Sequence, residues 1–339
     1  MTKQALNTVP AAPDLSEQVD IDQLTALCKA SADRLRLLIL RVLYSDSFCV
    51  LELCSLFDAR QSGMSHHLKI LSTAGLVTTR REGNTIYYRR AQILADSEPL
   101  QALQRQLLDT VKEVSLPRDV SDQVEKIHRD RRGLSQQFFS ENAEKFRAQQ
   151  DLIASYEQYA ETVEQMLANR LPLQRKLALE VGPGDGRFLK FLSPNFERVV
   201  ALDTAINMLD QARGLAAENN WSNIEFVHGD TRHQRISQLQ ADCVVVNMVL
   251  HHIPSPAEIF QDLARVLHRR GTLLITDLCT HDQDWAKEAC GDVWQGFDPE
   301  DLMAWASAAG LIELDSAYLA QRNGFRIQVR LFGFEPVKI

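Results

Sequence analysis

Three acidic residues hold matching places in this 339-residue chain: Glu180 lies in the apolar run LALEV, Asp203 ends RVVALD and Asp230 ends VHGD. Short runs of this kind read as buried strands, so the three carboxylates fall at the carboxyl ends of successive strands, where open α/β sheets bind ligands. Directly after the first strand comes a loop with Gly182, Gly184 and Gly186, spaced G-x-G-x-G. A dinucleotide fingerprint would put its third glycine one place later, where Arg187 stands, so no diphosphate cradle is specified. The acids suit an amino acid joined to a nucleoside. Glu180 can engage an ammonium group, Asp203 can accept from both ribose hydroxyls, and Asp230 can accept from an exocyclic adenine amine.

These residues need a sheet to hold them, and the sequence supplies one. From Leu177 onward the runs LALEV, RVVALD, IEFVHGD, CVVVNMV and TLLITDL alternate with helical stretches, and a last strand pair falls near 311–319 and 325–334. Alternation of this kind specifies a mostly parallel sheet with helices on both faces. The region before it is different. Residues 1–18 are polar, carry Pro10 and Pro13 and read as a mobile tail; from Ile21 to about Ser115 the spacing is mainly helical. Ser31 or Asp33 can open a helix over ADRLRLLILRVLYS, CVLELCSLF follows, a polar break spans Asp58–Ser62, and SGMSHHLKILSTAGL forms a helix stopped near Gly75. Val77–Arg80 and Thr85–Arg89 then read as a hairpin around Glu82-Gly83-Asn84. Residues 116–170 are charged and helical in composition, broken at Pro117 and Gly133.

Composition is that of an ordinary globular chain, with 45% hydrophobic and 24% charged residues. That excludes disordered, collagen-like and disulfide-stapled classes. No apolar run reaches the roughly 18 residues of a membrane helix, and the start lacks a signal-peptide core, so a cytoplasmic location is expected. The six cysteines, at 28, 49, 54, 243, 279 and 290, contain no C-x-x-C pair, which excludes a zinc ribbon. The net charge of -8 conceals a basic island. Between Arg60 and Arg90, Arg60, Lys69, Arg80, Arg81, Arg89 and Arg90 face a single acid, Glu82, as in a small DNA-binding module.

Helix, turn, helix and basic hairpin in that order make a winged helix-turn-helix. Gln61, Ser62, Ser65, His66, His67 and Lys69 can reach base edges in a major groove while Met64, Leu68 and Leu71 face inward. Arg80 and Arg81 are expected on phosphates or in a minor groove. The S-H-H-L-K-x-L stretch, the A-G-L-V step and the R-R-E-G-x-x-x-Y-Y wing resemble the ArsR/SmtB family of bacterial repressors over residues about 20–115. The resemblance implies a homodimer, with Leu100, Leu103 and Leu107 in its interface, reading a palindromic double-stranded DNA operator. In the arsenic-sensing pattern C-V-C-x-L-C, this chain keeps Cys49 and Cys54 but has Leu51 in the middle. No metal site is therefore expected, with the Cys49–Cys54 pair as the thiol-sensor alternative.

LALEVGPGDGRFLKFL, FFSENAEKF and NMVLHHIPSPAEIFQDLARVLHRRGTLLITD resemble the class I S-adenosylmethionine-dependent methyltransferases over residues about 135–339. The expected architecture is an α+β winged-helix domain at 19–115, a helical linker at 116–134, and an α/β Rossmann-like domain at 135–339 with a seven-stranded, mostly parallel sheet. The resemblance implies S-adenosylmethionine or S-adenosylhomocysteine as ligand. It places Asn247 and Met248 beside the methionine part. His251 and His252 are candidate bases for methyl transfer, against a packing role that the loop type favours. Asp282, Asp284 and Trp285 are expected in a lid, and Cys243, Cys279 and Cys290 lack local clustering. The expected function is a DNA-binding transcriptional regulator, a repressor, that binds one of these ligands and controls methionine-cycle genes. The alternative is an active methyltransferase of a small molecule or metalloid.

Overall fold

The computed structural model describes residues 20–336 apart from 45, 83, 94–97 and 172–174, with side chains at 134–137, 139–149, 287 and 288 also undescribed. The expected tail and the hairpin residue Gly83 thus lie outside the described residues. The N-terminal domain has α1 (Ile21–Ser31), α2 (Arg34–Val42), β1 (Phe48–Cys49), α3 (Val50–Phe57), α4 (Gln61–Thr73), β2 (Val77–Glu82), β3 (Thr85–Arg90) and α5 (Pro99–Lys112). Local chemistry sets these boundaries. The Asp33 carboxylate accepts from Arg36 N at the start of α2, and Asp58, at φ 47°, ends α3 in the left-handed region. The three strands are ordered β1-β3-β2 beside α4, and Leu53, Met64, Leu68 and Leu71 pack at the centre of the helices.

A helix of 36 residues, α6 (Arg118–Ile153), leads to the second domain. It runs unbroken through Gly133, where a break was expected. One helical glycine costs only about 1 kcal/mol, which a helix packed at both ends absorbs. The expected linker and the start of the C-terminal domain are therefore parts of one continuous helix. Behind it come α7 (Tyr156–Ala168), β4 (Leu177–Val181), α8 (Leu189–Asn195), β5 (Arg198–Asp203), α9 (Ile206–Glu218), β6 (Ile224–His228), α10 (Gln234–Ser237) and β7 (Ala241–Asn247). A 3-10 turn at Leu250–His252, α11 (Pro256–Val266), β8 (Leu267–Leu278), α12 (Asp284–Cys290), α13 (Pro299–Ala308), β9 (Leu311–Ala320) and β10 (Arg326–Phe334) complete it.

The seven strands are ordered β6-β5-β4-β7-β8-β10-β9. β4 through β8 are parallel, and β10 is antiparallel to both neighbours. This is the α/β Rossmann-like architecture that the alternation specified, joined to an α+β winged helix-turn-helix. The order reverses at β4, whose neighbours β5 and β7 lead away in opposite directions. A crevice opens at the carboxyl ends of such strands. No helix among the described residues is long and apolar enough to cross a membrane.

Candidate ligand cleft and DNA-reading head

The crevice is a cavity of about 220 Å³ lined by residues from β4, β5, β7 and the loops that follow them. Glu180, Gly182, Gly184, Asp203, Asp230, Asn247 and Met248 all border it; Gly186 does not. The loop glycines have φ of 68°, 57° and 85°. At Gly182 a Cβ would lie 2.5 Å from Val249 Cγ2, and at Gly186 it would lie 2.9 Å from Ala212 Cα, on α9. Gly186 therefore serves the approach of helix to loop rather than the cavity wall.

Burial leaves the polar atoms here in an unusual state. Glu180 is 1% exposed. Its Oε2 and both amide atoms of Asn247 have no hydrogen-bond partner among the described residues. Burial, reinforced by nearby Asp185, pushes the Glu180 carboxyl up to about 8. Asp203 is pushed up to about 6 by burial, held back by backbone N–H donors at Ala205 and Thr204; its Oδ1 accepts from Ala205 N at 2.8 Å. Asp230 is exposed at the rim and accepts from Arg232 N at 3.0 Å. Unsatisfied buried polar atoms are costly unless something else meets them.

Several wall residues carry no signal in the sequence. Tyr156 and Tyr159 come from α7, Arg132 and Gln150 from α6, and Pro254 and Ser255 from the loop after β7, next to the expected candidate His252, which also lines the wall. Only Asp185, inside the glycine loop, could have been picked out. The expected lid residues Asp282, Asp284 and Trp285 are not in the wall. Trp285 instead packs edge-on against Phe325, and Asp284 accepts from Gln295 Nε2 at 3.0 Å.

His252, in the wall, and His251, behind it, are both buried. His251 Nδ1 is 2.8 Å from Asp277 Oδ1, and its Nε2 is 3.7 Å from Asp292 Oδ1. His252 Nδ1 is 3.5 Å from the same Asp292 oxygen and 3.4 Å from Gly291 O. Burial opposes a charge on His251, but Asp277 and Asp292 outweigh it and hold the imidazole up at about 9. His252 is pushed well below its usual range by burial and by the neighbouring His251. His251, His252 and Asp292 offer ligand-type atoms within 4.8 Å of one another, the one such group of three or more among the described residues. They could hold a cation, although donation from His252 Nδ1 to Gly291 O would occupy one of the three atoms. Cys243, Cys279 and Cys290 do not join into a cluster of this kind. Burial raises both Cys49 and Cys54, the opposite of what a thiolate sensor needs.

On the reading head, Arg60, Gln61, Ser62, Ser65, His66 and Lys69 are exposed along one side of α4, and Met64, Leu68 and Leu71 are buried. The wing departs from expectation. Arg81 is exposed, whereas Arg80 is 9% exposed and bonded to the C-terminal domain, donating from Nη1 to Gly296 O at 3.1 Å. The reason is strand geometry: successive side chains point to opposite faces, so Arg80 and Arg81 cannot both face one surface. In this arrangement Arg80 is not available to a phosphate.

Similarities to known proteins accompany this geometry. The profile described as "Bacterial regulatory protein, arsR family" matches residues 33–79, and the one described as "Methyltransferase domain" matches 179–275. The arsenical resistance operon repressor of Staphylococcus aureus is 35% identical over 74 residues, 22% of this chain and 71% of the repressor. An arsenite methyltransferase of Halobacterium salinarum is 31% identical over 101 residues, 30% of this chain; the chain spans only 23% of that relative. Among solved structures, a magnesium protoporphyrin IX methyltransferase from Synechocystis with bound S-adenosylhomocysteine aligns with a TM-score of 0.48 and 15% identity, covering 60% of this chain and 99% of that one.

Proposed function

Since the chain belongs to the arsR family of bacterial regulatory proteins and continues into a class I methyltransferase domain, we propose that it is a DNA-binding transcriptional regulator, a repressor, whose cleft senses S-adenosylmethionine or S-adenosylhomocysteine. One observation carries this reading. The continuous helix α6 lines the cleft with Arg132 and Gln150. At the next residue, Arg131, the same helix binds Glu52 Oε1 at 3.0 Å and Asp46 Oδ2 at 3.3 Å in the N-terminal domain. A change at the cleft wall thus has a rigid route into the reading head.

The donor set fits the ligand. Glu180 Oε2 and the Asn247 amide, unmet and on the cavity wall, would engage an amino acid's ammonium and carboxylate. Asp203 would accept from the ribose hydroxyls and Asp230 from the adenine amine. The two ligands differ by a methyl group and a positive charge, so one cleft can tell them apart. Methionine-cycle genes are the targets this reading proposes, since their products set the balance of that pair. Leu103, 45% exposed on α5, is a candidate for a homodimer interface that would read a palindromic operator.

Asp203→Ala tests the reading. Loss of two hydrogen bonds to a charged group, about 1.5–3 kcal/mol each, should weaken ligand binding by about 100-fold or more. DNA affinity without ligand should stay as it was, and the response of DNA binding to ligand should vanish. A variant that still responds at the original ligand concentrations would sink the proposal.

A second reading is favoured by His252, which borders the cleft as a neutral imidazole. There it could take a proton from a methyl acceptor, a small molecule or a metalloid. Sustained release of S-adenosylhomocysteine with a candidate acceptor, lost in His252→Ala, would support catalysis. His251 is not the better base in this arrangement, because its two carboxylates keep it protonated.

A further inference from the structure

The wing hairpin has two faces. Register pairs Thr78 with Arg89, Arg80 with Tyr87 and Glu82 with Thr85, so these six residues share one face. That face lies on residues 294–301 of the C-terminal domain. Arg80 Nη1 donates to Gly296 O at 3.1 Å, and its guanidinium stacks over Trp294 and Phe297 at 5.0 and 5.3 Å. Glu82 pairs with Arg80 at 2.6 Å, and its other oxygen accepts from Gln295 N at 2.6 Å. Arg89 forms a short ion pair with Asp301 and another with Asp298 at 3.2 Å. Tyr87 meets Trp294 edge-on at 5.1 Å.

The chemistry of this contact is that of a phosphate site already filled. A guanidinium presents a planar fork that binds carboxylates and phosphates alike. Asp298 and Asp301 therefore take up the donors of Arg89 that a DNA backbone would use. Gly296 makes the fit possible. Its φ is 75°, and a Cβ there would lie 2.3 Å from Cys279 O, so no side chain can stand between the segment and β8.

The same segment is tied to the cleft on its other side. Val293 N and Trp294 N both donate to His251 O, at 2.9 and 3.0 Å. Trp294 Nε1 donates to Ile253 O at 2.7 Å, and His252 and Ile253 border the cavity.

We propose that residues 291–301 form a clasp that withholds Arg80 and Arg89 of the wing from the DNA backbone, and that cleft occupancy sets its hold. The second half rests on the ligand-sensing reading; the first does not. In the clasped chain DNA is read by α4 and the exposed Arg81 face. On release, Arg89 reaches a phosphate, while Arg80 leaves Gly296 O but keeps its pair with Glu82 on the wing itself.

The test is DNA affinity as a function of salt for the full chain and for Asp298→Asn/Asp301→Asn, which keeps side-chain volume. Each added phosphate contact steepens the slope of log affinity against log salt by about 0.9. The variant frees one contact, that of Arg89, and so adds a loss of roughly three- to fourfold between 50 and 200 mM salt. The double variant should bind nonspecific DNA more tightly at low salt, show the steeper slope and lose its response to ligand. Adding Arg89→Ala to it should return most of the gain. If the double variant does not fold, Asp301→Asn alone decides, with about half the change in slope. An unchanged slope or weaker DNA binding in a folded variant overturns the clasp. Calorimetry with S-adenosylhomocysteine separates the two halves: no binding to the wild-type chain overturns the ligand-sensing reading, while the salt slopes still judge the clasp.

Discussion

Glu180 and Arg131 are both ionisable residues in the interior, and their surroundings are opposites. Arg131 is 8% exposed and is met on every side. Glu52 and Asp46 neutralise it, Ser47 O and Pro254 O accept from it, and the rings of Phe48, Tyr87 and Trp294 lie within 5.6 Å. Glu180 is 1% exposed with one oxygen unmet, and no cation holds its pKa down. A satisfied buried charge is architecture, and here it joins two domains. An unsatisfied carboxyl at a strand end is what the proposed ligand would meet.

Substitutions can break or sharpen this contrast. The largest effect should come from Arg131→Ala, which strands Asp46 and Glu52 without their shared cation. Breaking a buried pair costs about 3–5 kcal/mol, so the urea midpoint should fall sharply and the two domains should unfold in separate transitions. A loss below about 1 kcal/mol would mean that the domains are not joined here. Next in size, Glu180→Gln should weaken ligand binding by about tenfold or more, since a charge-assisted bond to the ammonium group is worth about 1.5–3 kcal/mol.

The pH dependence of binding probes the same carboxyl. Free Glu180, at about 8, is protonated at pH 7. A bound ammonium group favours the ionised form, so binding releases a proton. Affinity should therefore rise with pH, by up to about tenfold per unit, and level off near pH 8. Calorimetry in buffers of different ionisation enthalpy measures the proton directly, and an enthalpy independent of buffer would contradict the assignment. The smallest effect is expected on stability. Glu180→Gln replaces a carboxyl already neutral at pH 7 with a group of the same shape, so the unfolding free energy should change by no more than about 0.5 kcal/mol.

Much of this could be read in the sequence, for physical reasons that also mark where reading stops. Strand alternation and the glycine loop are local patterns. They place Glu180, Asp203 and Asp230 on one crevice without any knowledge of packing. The reading helix was equally legible, because Met64, Leu68 and Leu71 recur at helical spacing. Arg80 was misplaced, although period-two alternation already separates it from Arg81. Gly133 was taken for a break that tertiary packing overrides. Asp292, Trp294 and the Arg131 cluster gave no signal, because their partners lie 40 or more residues away along the chain or on another domain.

The central claim is that cleft and reading head act on each other, and fluorescence anisotropy on the chain's own upstream DNA tests it most directly. The protein is titrated at fixed salt with S-adenosylmethionine and, separately, with S-adenosylhomocysteine. A shift in DNA affinity with one ligand and a much smaller shift with the other is the predicted result. If both ligands bind and neither moves the DNA affinity, the coupling through α6 and the clasp is contradicted.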